Sequence, residues 1–208
     1  MGSVRTIKAA GTYELEIRRS RFLCALRRVS TEEQAQAFIA DRRRAHREAT
    51  HNCTAYVLDD GRITRSNDDG EPAGTAGAPM LDALLRRNIT DTVAVVTRYF
   101  GGVKLGAAGL TRAYRQAVNE AVDHLGLVTR LPAHTVTVTV DHGLAGRLTN
   151  DLHASGYAAL ATRYGEHVEI DLLIPADELD DFDVWVAAVT AGQARTSRGA
   201  IGFIELDA

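Results

Sequence analysis

Cysteine and long apolar runs are the two features that this sequence has least of. Its 208 residues include two cysteines, Cys24 and Cys53, which form neither a CxxC pair nor a regular spacing, so no disulfide framework is predicted. No apolar run approaches the roughly eighteen residues of a membrane span, and residues 1–10 have no apolar core of a secretory signal. We therefore expect a protein without a membrane segment in the reducing cytoplasm.

An excess of charge of one sign is absent as well. Lys and Arg number 24 and Asp and Glu number 27, which gives a formal net charge of −3 and no overall attraction for phosphate groups. Any binding of nucleic acid must therefore use a local basic surface. Apolar residues at 45% and charged residues at 25% are ordinary globular proportions, which excludes a disordered or fibrous chain.

The pattern of apolar residues predicts an N-terminal domain over residues 1–128 that mixes strands and helices. Segments that alternate or run apolar at strand lengths are 12–17, 21–29, 52–58, 62–65 and 91–98. The last is a β-branched run typical of a strand buried on both faces, which places it centrally in the sheet. Ser30 and Glu33 have the capping-box spacing of a helix start, and a second helical periodicity from Leu110 ends at Gly126.

Residues 129–208 predict a second, smaller domain. The apolar pattern there gives strands and helices in the order β-α-β-β-α-β, which is the split βαβ order of ferredoxin-like domains. The whole chain is therefore expected to be an α+β protein of two domains.

Three segments of the first domain hold more glycine, acidic and polar residues than folding alone requires: 49–53, 65–77 and 97–109. The last runs from the predicted central strand through a glycine-rich loop and Lys104 into a helix. Glycine amides, a helix N-terminus and a lysine together favour a phosphate-sized anion. The string is neither a Walker A motif nor GxGxxG, and glycines that merely let the strand and helix pack closely explain it equally well.

The middle segment carries three carboxylates, Asp68, Asp69 and Glu71, within four positions. Such a group suits Mg²⁺ or acid–base chemistry. The spacing does not match an EF-hand, and an ordinary solvated turn of sequence DDGEP is the favoured interpretation. A magnesium site is the lesser hypothesis.

His51 and Cys53 lie two residues apart in the first segment, which puts both side chains on one face of a strand. Activation of a cysteine nucleophile at this spacing is rare, and no third member of a triad is evident. We therefore expect structural roles for the pair and predict no catalytic residue from it.

Four basic residues near the glycine-rich loop predict a local basic surface: Arg98, Lys104, Arg112 and Arg115. Tyr99 and Phe100 offer rings on which bases can stack. A solvated Arg115 with a buried Tyr99 and Phe100 explains the same residues equally well. The second domain lacks the aromatic strings of RNA-recognition motifs, which disfavours that mode of binding.

Four strings resemble the signatures of the YigZ/IMPACT family and occur in the same order: SRFLCAL, THNCTAY, RSNDDGEPAGTAGAPML and VVTRYFGGVKLGAAGLTRAY. The resemblance covers nearly all of the first domain, and the second domain resembles the C-terminal extension of bacterial members. It implies an N-terminal α/β sandwich like domain 2 of ribosomal protein S5, followed by a ferredoxin-like domain. It also implies a role linked to translation, since the eukaryotic relatives regulate initiation by competing for the activator of an initiation-factor kinase.

That eukaryotic mechanism uses a separate N-terminal domain that these 208 residues do not contain, and the family brings no established catalytic residues. We therefore predict a non-enzymatic protein that binds RNA, the ribosome or a translation factor, with no cofactor, no membrane partner and no DNA-specific motif. The predicted contact surface is the cleft between the DDGEP and GGVKLG loops. The alternative is an enzyme acting on a phosphorylated small molecule, with Mg²⁺ as a cofactor in that case alone. The candidate ligand-binding residues are His51, Asn52, Ser66, Asp68, Asp69, Glu71, Gly74, Thr75, Arg98, Gly101, Gly102, Lys104, Gly106, Gly109 and Arg112.

Overall fold

The computed structural model describes residues 3–207, and contacts between these residues divide them into two compact units. The first unit comprises residues 4–129 with residue 207, and the second comprises residues 130–206 with residue 3. Helices and strands are mixed in both, so the protein is of the predicted α+β class. No helix within residues 3–207 is long and apolar enough to cross a membrane.

The first unit is built on an antiparallel sheet. The strands of this unit are β1 (Val4–Ile7), β2 (Gly11–Ile17), β3 (Ser20–Arg28), β4 (His51–Leu58), β5 (Ile63–Asn67) and β6 (Thr92–Tyr99). Five of them form the sheet in the order β2-β3-β6-β4-β5. Strand β6 is central and its residues from Thr92 to Arg98 are buried, as its β-branched sequence predicts. The short strand β1 is not marked by the sequence pattern.

Helices cover both faces of this sheet: α1 (Glu32–Ala45), α2 (Gly77–Arg86) and α3 (Gly106–Leu125). Helix α1 packs through Phe38 and Ile39 against one face of β6, where Val93 and Val95 point. Helices α2 and α3 pack against the opposite face in a larger core that contains Tyr114. The result is the predicted α/β sandwich.

Helix α1 begins one residue later than the capping-box pattern predicts. Thr31, with an extended backbone, is the N-cap, and its hydroxyl accepts from the Gln34 backbone N–H at 3.3 Å. The Gln34 side chain reaches back and accepts from the Ser30 N–H at 2.8 Å. Gln34 thus does what the prediction gave to Glu33, because the helix starts from Thr31 and Gln34 is its third residue.

Two tight turns join the strand pairs. Arg18 and Arg19 connect β2 to β3 with φ of 47° and 67°, a left-handed conformation that side chains other than glycine seldom adopt. Asp59, Asp60 and Gly61 begin the turn between β4 and β5, also at positive φ. A Cβ atom at Gly61 would meet nothing within 4 Å. This turn follows Leu58, at the opposite end of β4 from His51, so about 25 Å separates it from the start of the strand.

The second unit has the ferredoxin-like fold that the sequence predicts. Its elements are β7 (Leu127–Val140), α4 (His142–Ala154), β8 (Ala159–Tyr164), β9 (Val168–Pro175), α5 (Leu179–Val189) and β10 (Arg195–Asp207). Strand β7 pairs with β10 on one side and with β9 on the other, and β9 pairs with β8. Leu148, Leu152 and Phe182 of the two helices pack on one face of this sheet. The other face carries polar side chains, including Arg163 and Asp171.

Candidate functional site

The strand register brings the three polar segments to one end of the first sheet. His51, the first residue of β4, is paired with Arg98 near the end of β6. The Thr50 backbone N–H also donates to the Arg98 carbonyl at 2.9 Å. The glycine-rich loop after β6 and the acidic loop after β5 therefore start from neighbouring positions.

Asp68 anchors the acidic loop from within. Its Oδ1 accepts from the backbone N–H groups of Ala76 and Gly77 at 3.0 and 2.8 Å, and its Oδ2 accepts from Gly74 at 2.8 Å. Burial alone would raise the pKa of Asp68, but these three donors hold it below the ordinary value. Since Ala76 has no side chain with which to cap α2, Asp68 supplies the missing acceptor.

Asp69 ties the same loop to β4. Its Oδ2 accepts from the Asn52 backbone N–H at 2.7 Å, and its Oδ1 accepts from Arg43 at 3.0 Å. The Asp69 carbonyl accepts from Nδ1 of His51 at 2.8 Å. The Asn52 side chain in turn accepts from the Thr97 hydroxyl at 2.8 Å. Asp69 and Asn52 are thus engaged within the protein and hold the loop in place.

Glu71 takes part in a buried ion pair beneath the two loops. Its Oε1 accepts from Nη1 of Arg98 and from the Tyr114 hydroxyl, both at 2.7 Å. The side chains of Glu71 and Arg98 are 3% and 6% exposed, so water hardly screens their attraction. The Ser20 hydroxyl supports the arrangement, since it lies 3.4 Å from Nη2 of Arg98 and accepts from the Gly101 N–H at 3.2 Å. Within residues 3–207, Oε2 of Glu71 makes no hydrogen bond, and the buried Nε of Arg98 has no partner.

The three carboxylates do not converge as the magnesium hypothesis requires. Asp68 accepts backbone N–H groups, Asp69 contacts β4 and Arg43, and Glu71 pairs with Arg98. Across the described chain, no group of three or more His, Cys, Asp and Glu side chains is placed to hold a metal ion. The interpretation of this segment as a solvated turn is also wrong for Glu71, which is buried together with its partners Arg98 and Tyr114.

Cys53 has the structural role that was expected. Its thiol is buried, lies 3.4 Å from the Tyr114 hydroxyl and donates to the Asp68 carbonyl at 3.0 Å. Burial raises the pKa of Cys53 to about 12, so a reactive thiolate is not formed near neutral pH.

A cleft of about 370 Å³ opens beside the buried pair, between the DDGEP and GGVKLG loops. Its lining is Thr50, His51, Glu71, Pro72, Arg98, Phe100, Lys104, Leu105, Gly106, Ala107 and Leu110. Five of the candidate residues meet there: His51, Glu71, Arg98, Lys104 and Gly106. The volume falls within the roughly 300–1,000 Å³ of small-molecule pockets.

The other candidates lie outside the lining. Asn52, Asp68, Asp69, Gly74 and Thr75 shape the acidic loop, where the Thr75 hydroxyl donates to the Pro72 carbonyl at 2.6 Å. Ser66 is exposed on β5 beside a different groove. Gly102 turns the loop at φ 84°, and Gly109 faces Leu105 within α3. A Cβ atom at Gly101 would lie 1.8 Å from the Arg19 carbonyl oxygen, so glycine is required where the loop crosses the β2–β3 turn.

The predicted cluster of four basic side chains does not form. Arg98 is buried against Glu71, and Arg115 pairs with Asp82 at 3.0 Å. Lys104 and Arg112 are exposed and form no ion pair within residues 3–207. Arg18 and Arg19 of the turn beside Gly101 are also exposed, and neither has an acidic partner in that range.

The two aromatic residues at the end of the central strand, Tyr99 and Phe100, differ in exposure. Tyr99 is half-buried, and its hydroxyl lies 2.9 Å from Nδ1 of His46. Phe100 is 46% exposed at the rim of the cleft, so the interpretation of Phe100 as a core residue is wrong. The guanidinium carbon of Arg98 lies 5.5 Å from the centre of the Phe100 ring.

Sequence reasoning missed several residues of this site. Tyr114 is the polar member of an otherwise apolar face of α3, and that contrast was the available signal. Ser20 and Arg19 fall between the predicted strands 12–17 and 21–29, and no local pattern relates them to Gly101, which lies 81 positions after Ser20 in the chain. Pro72, Ala107 and Leu110 have no chemistry that would mark them as lining residues in advance.

Comparison with known proteins agrees with this architecture. Residues 18–122 match the family described as Impact N-terminal domain, and residues 138–193 match a domain of unknown function (DUF1949). The chain belongs to the IMPACT family. The IMPACT family member YvyE of Bacillus subtilis is 43% identical over 201 residues, which cover 96% of this chain and 93% of the relative. The IMPACT family member YigZ of Escherichia coli is 33% identical over 180 residues, with 85% and 88% covered.

A solved structure also matches this IMPACT family member over nearly its whole length. It is described as the crystal structure of an hypothetical protein, is 32% identical in sequence and has a TM-score of 0.62. The match covers 96% of this chain and 98% of the other. All the residues that line the cleft fall within the matched Impact N-terminal domain, so the cleft belongs to that domain.

Proposed function

We propose that this IMPACT family member is a non-enzymatic, translation-associated regulatory protein that binds single-stranded RNA, including exposed RNA of the ribosome, through the cleft. The observation that carries the proposal is the exposed Phe100 ring at the rim, beside Lys104, which has no acidic partner in the described chain. Base stacking on an aromatic ring next to a cationic groove is the usual means of holding single strands. The proposal includes a cytoplasmic location, which the two free thiols support.

The exposed cations near the cleft support contact with a phosphate backbone. Lys104 lies on the rim, and Arg112 follows Leu105 by two helical turns on α3. Arg18 and Arg19 lie beside Gly101 at the other end of the loop. The N-terminus of α3 adds backbone N–H groups and a partial positive charge at the same rim. A local basic surface thus accompanies the acidic total charge, as a nucleic-acid contact requires.

The alternative, an enzyme acting on a phosphorylated small molecule, draws no support from the acidic loop. Asp68 and Asp69 are occupied by backbone N–H groups and Arg43, and Oε1 of Glu71 by Arg98 and Tyr114, which leaves Oε2 as the one oxygen of Glu71 without a donor within residues 3–207. That single oxygen belongs to an ion-paired carboxylate and, in the described chain, has no second carboxylate beside it to complete a metal site or an acid–base pair.

The test measures binding of a fluorescently labelled oligouridine of about 10 nucleotides by anisotropy at several salt concentrations. We expect affinity to fall steeply with salt, because each neutralised phosphate contributes about 0.7 to the slope of log K against log salt. The Lys104→Ala/Arg112→Ala variant should bind more weakly, and its slope should be flatter by about 0.7 for each phosphate that is no longer neutralised. The same pair of proteins should differ in co-sedimentation with ribosomes at low and moderate salt.

The matched control removes two exposed arginines of the same unit that lie away from the cleft, Arg62→Ala with Arg86→Ala. Both variants lose two positive charges, so the change in net charge is equal. The Arg62 and Arg86 side chains are 78% and 73% exposed, so their removal should spare the fold. This control should keep the wild-type slope. Equal reductions of affinity in both variants, or an affinity that does not depend on salt, would show that the cleft does not bind RNA.

A further inference from the structure

The floor and the rim of the cleft differ in charge. On the floor, Arg98 neutralises Glu71 at 2.7 Å, so the buried pair has no net charge. On the rim, Lys104 is exposed and has no acidic partner in residues 3–207. A phosphate entering the floor would lose its hydration without gaining contact with an unpaired cation. A phosphate at the rim keeps its hydration and can contact Lys104. The cleft therefore suits a ligand whose neutral part enters and whose anionic part stays outside, as in a nucleotide.

The floor presents two hydrogen-bond acceptors. Because the Asp69 carbonyl accepts from Nδ1 of His51, Nε2 of the neutral imidazole has a free lone pair. Nε2 lies 3.8 Å from Oε1 of Glu71. That oxygen already accepts from Arg98 and Tyr114, which leaves Oε2 as the carboxylate oxygen without a donor. A ligand edge with adjacent N–H groups satisfies both acceptors.

The Arg98 guanidinium takes no part in this contact, because Nη1 is held by Glu71 and Nε is enclosed by the protein. The ligand is therefore chosen by the two acceptors alone. Among the four RNA bases, guanine alone has two neighbouring donor groups on its Watson–Crick edge, N1–H and the exocyclic amino group, so guanine is the complement of these acceptors.

The walls of the cleft suit a flat, apolar ring. Pro72, Leu105, Ala107 and Leu110 are among its lining residues, and the exposed Phe100 ring lies at the rim. From these contacts we infer that the cleft holds a single unstacked guanine base of RNA, with the Watson–Crick edge toward Glu71 and His51. The inference rests on the proposed function and names the base that the RNA-binding cleft prefers.

The first experiment changes the ligand and leaves the protein intact, because substitution of Glu71 endangers folding. Anisotropy is measured with an oligouridine and with the same oligomer carrying one central G, A, C or inosine, and free GMP is a competitor. Inosine lacks the exocyclic amino group of guanine and so offers one donor fewer. We expect the G oligomer to bind about 5- to 150-fold more tightly than the others, which is the usual discrimination of a bidentate base contact.

The second experiment fills the cleft. Ala107 and Ala108 are both exposed in the first turn of α3, but Ala107 lines the cleft and Ala108 does not. Ala107→Leu should remove the preference for G and retain the salt-dependent affinity for oligouridine, which depends on the rim. Ala108→Leu, the matched control, should retain both.

The outcomes separate this inference from the proposed function. Equal, salt-dependent affinity for all oligomers overturns the guanine site and leaves RNA binding standing. Binding of GMP without binding of any oligomer supports the guanine site and overturns the RNA function. Failure of the protein to bind any of these ligands overturns both.

Discussion

One ion pair of the first unit and one cluster of charges in the second lie in opposite environments. The first unit buries Arg98 and Glu71, which are 6% and 3% exposed, beneath the cleft. The second unit sets Arg163, which is 52% exposed, on the open face of its sheet beside Glu169 and Asp171. A buried pair loses the hydration of both ions, and only well-placed hydrogen bonds and the attraction between the ions offset that loss. An exposed charged group stays hydrated with or without a partner. Ion pairing therefore fixes the geometry around Arg98 and Glu71 and contributes little at Arg163.

The same contrast extends to the loops. In the first unit, Asp68, Asp69 and Gly101 connect loop segments to neighbouring strands and turns through backbone contacts. In the second unit, Gly143, Gly146 and Gly192 have no atom within 4 Å of an added Cβ. Close packing at Gly101 and the carboxylates of Asp68 and Asp69 therefore hold the loops that bound the cleft, although glycines with free space around them, such as Gly61 and Gly106, occur in the first unit as well.

The largest effect is expected from breaking the buried pair. Glu71→Ala removes the partner of Arg98 and leaves a buried, unpaired guanidinium, so the free energy of unfolding of the first unit should fall by about 3–5 kcal/mol. Urea unfolding followed by circular dichroism measures the change.

The control removes both charges. Because Met has no charge to desolvate, Glu71→Ala/Arg98→Met should be more stable than Glu71→Ala alone. If the double variant is the less stable of the two, the unpaired Arg98 guanidinium does not destabilise Glu71→Ala. The contrast between the buried pair of the first unit and the exposed charges of the second would then have no basis.

A smaller effect is expected at Asp68. Asp68→Asn places an amide group among the three backbone donors of Gly74, Ala76 and Gly77, which should lower the free energy of unfolding by about 1–3 kcal/mol at neutral pH. Glu48→Gln is the control, since Glu48 is exposed and forms no ion pair within residues 3–207, and it should be neutral.

The effect of Asp68→Asn should also depend on pH. The folded pKa of Asp68 is lowered, so its ionised carboxylate stabilises the fold fully above the unfolded pKa of about 3.9. That stabilisation is lost as the pH falls through the lowered folded pKa. The gap between wild type and Asp68→Asn should therefore be constant from neutral pH to about 4 and narrow below it. A gap that widens in acid would mean that the folded pKa of Asp68 is raised.

The smallest effect is expected in the second unit. Arg163→Ala removes contacts to Glu169 and Asp171, but all three groups remain accessible to water, so the urea midpoint should stay within the error of the measurement. Raising the salt concentration should erase any residual difference. A destabilisation as large as that of Glu71→Ala would show that exposure does not separate the two kinds of ion pair.

The elements were predictable from sequence where one local pattern dominates. The β-branched run of β6 and the spacing of apolar residues in α3 each determine a buried face, and the order of elements after residue 129 determines a ferredoxin-like fold. Strand β1 was missed because its four residues are too few for a period to show. The capping shift to Thr31 arose because Ser30 and Thr31 are both good caps and the pattern does not choose between them.

The site was predictable as three segments but not as a set of contacts. The pairing of Glu71 with Arg98 depends on the register that sets His51 opposite Arg98, and no feature of the sequence fixes that register. In the sequence, Asp68, Asp69 and Glu71 are three equivalent carboxylates. In the structure the path of the loop gives each of them different hydrogen-bond partners. Long-range pairing therefore separates the candidates that line the cleft from those that support it.

Burial of both native thiols has a practical consequence for labelling. Burial raises the pKa of Cys24 and of Cys53, so neither forms the thiolate that maleimide reagents attack. A cysteine introduced as Arg62→Cys would be the single reactive thiol among the described residues, on a projecting turn at the opposite end of β4 from the cleft. The Arg62→Cys variant should thus accept one fluorophore or surface tether at a defined position, with no need to remove Cys24 and Cys53.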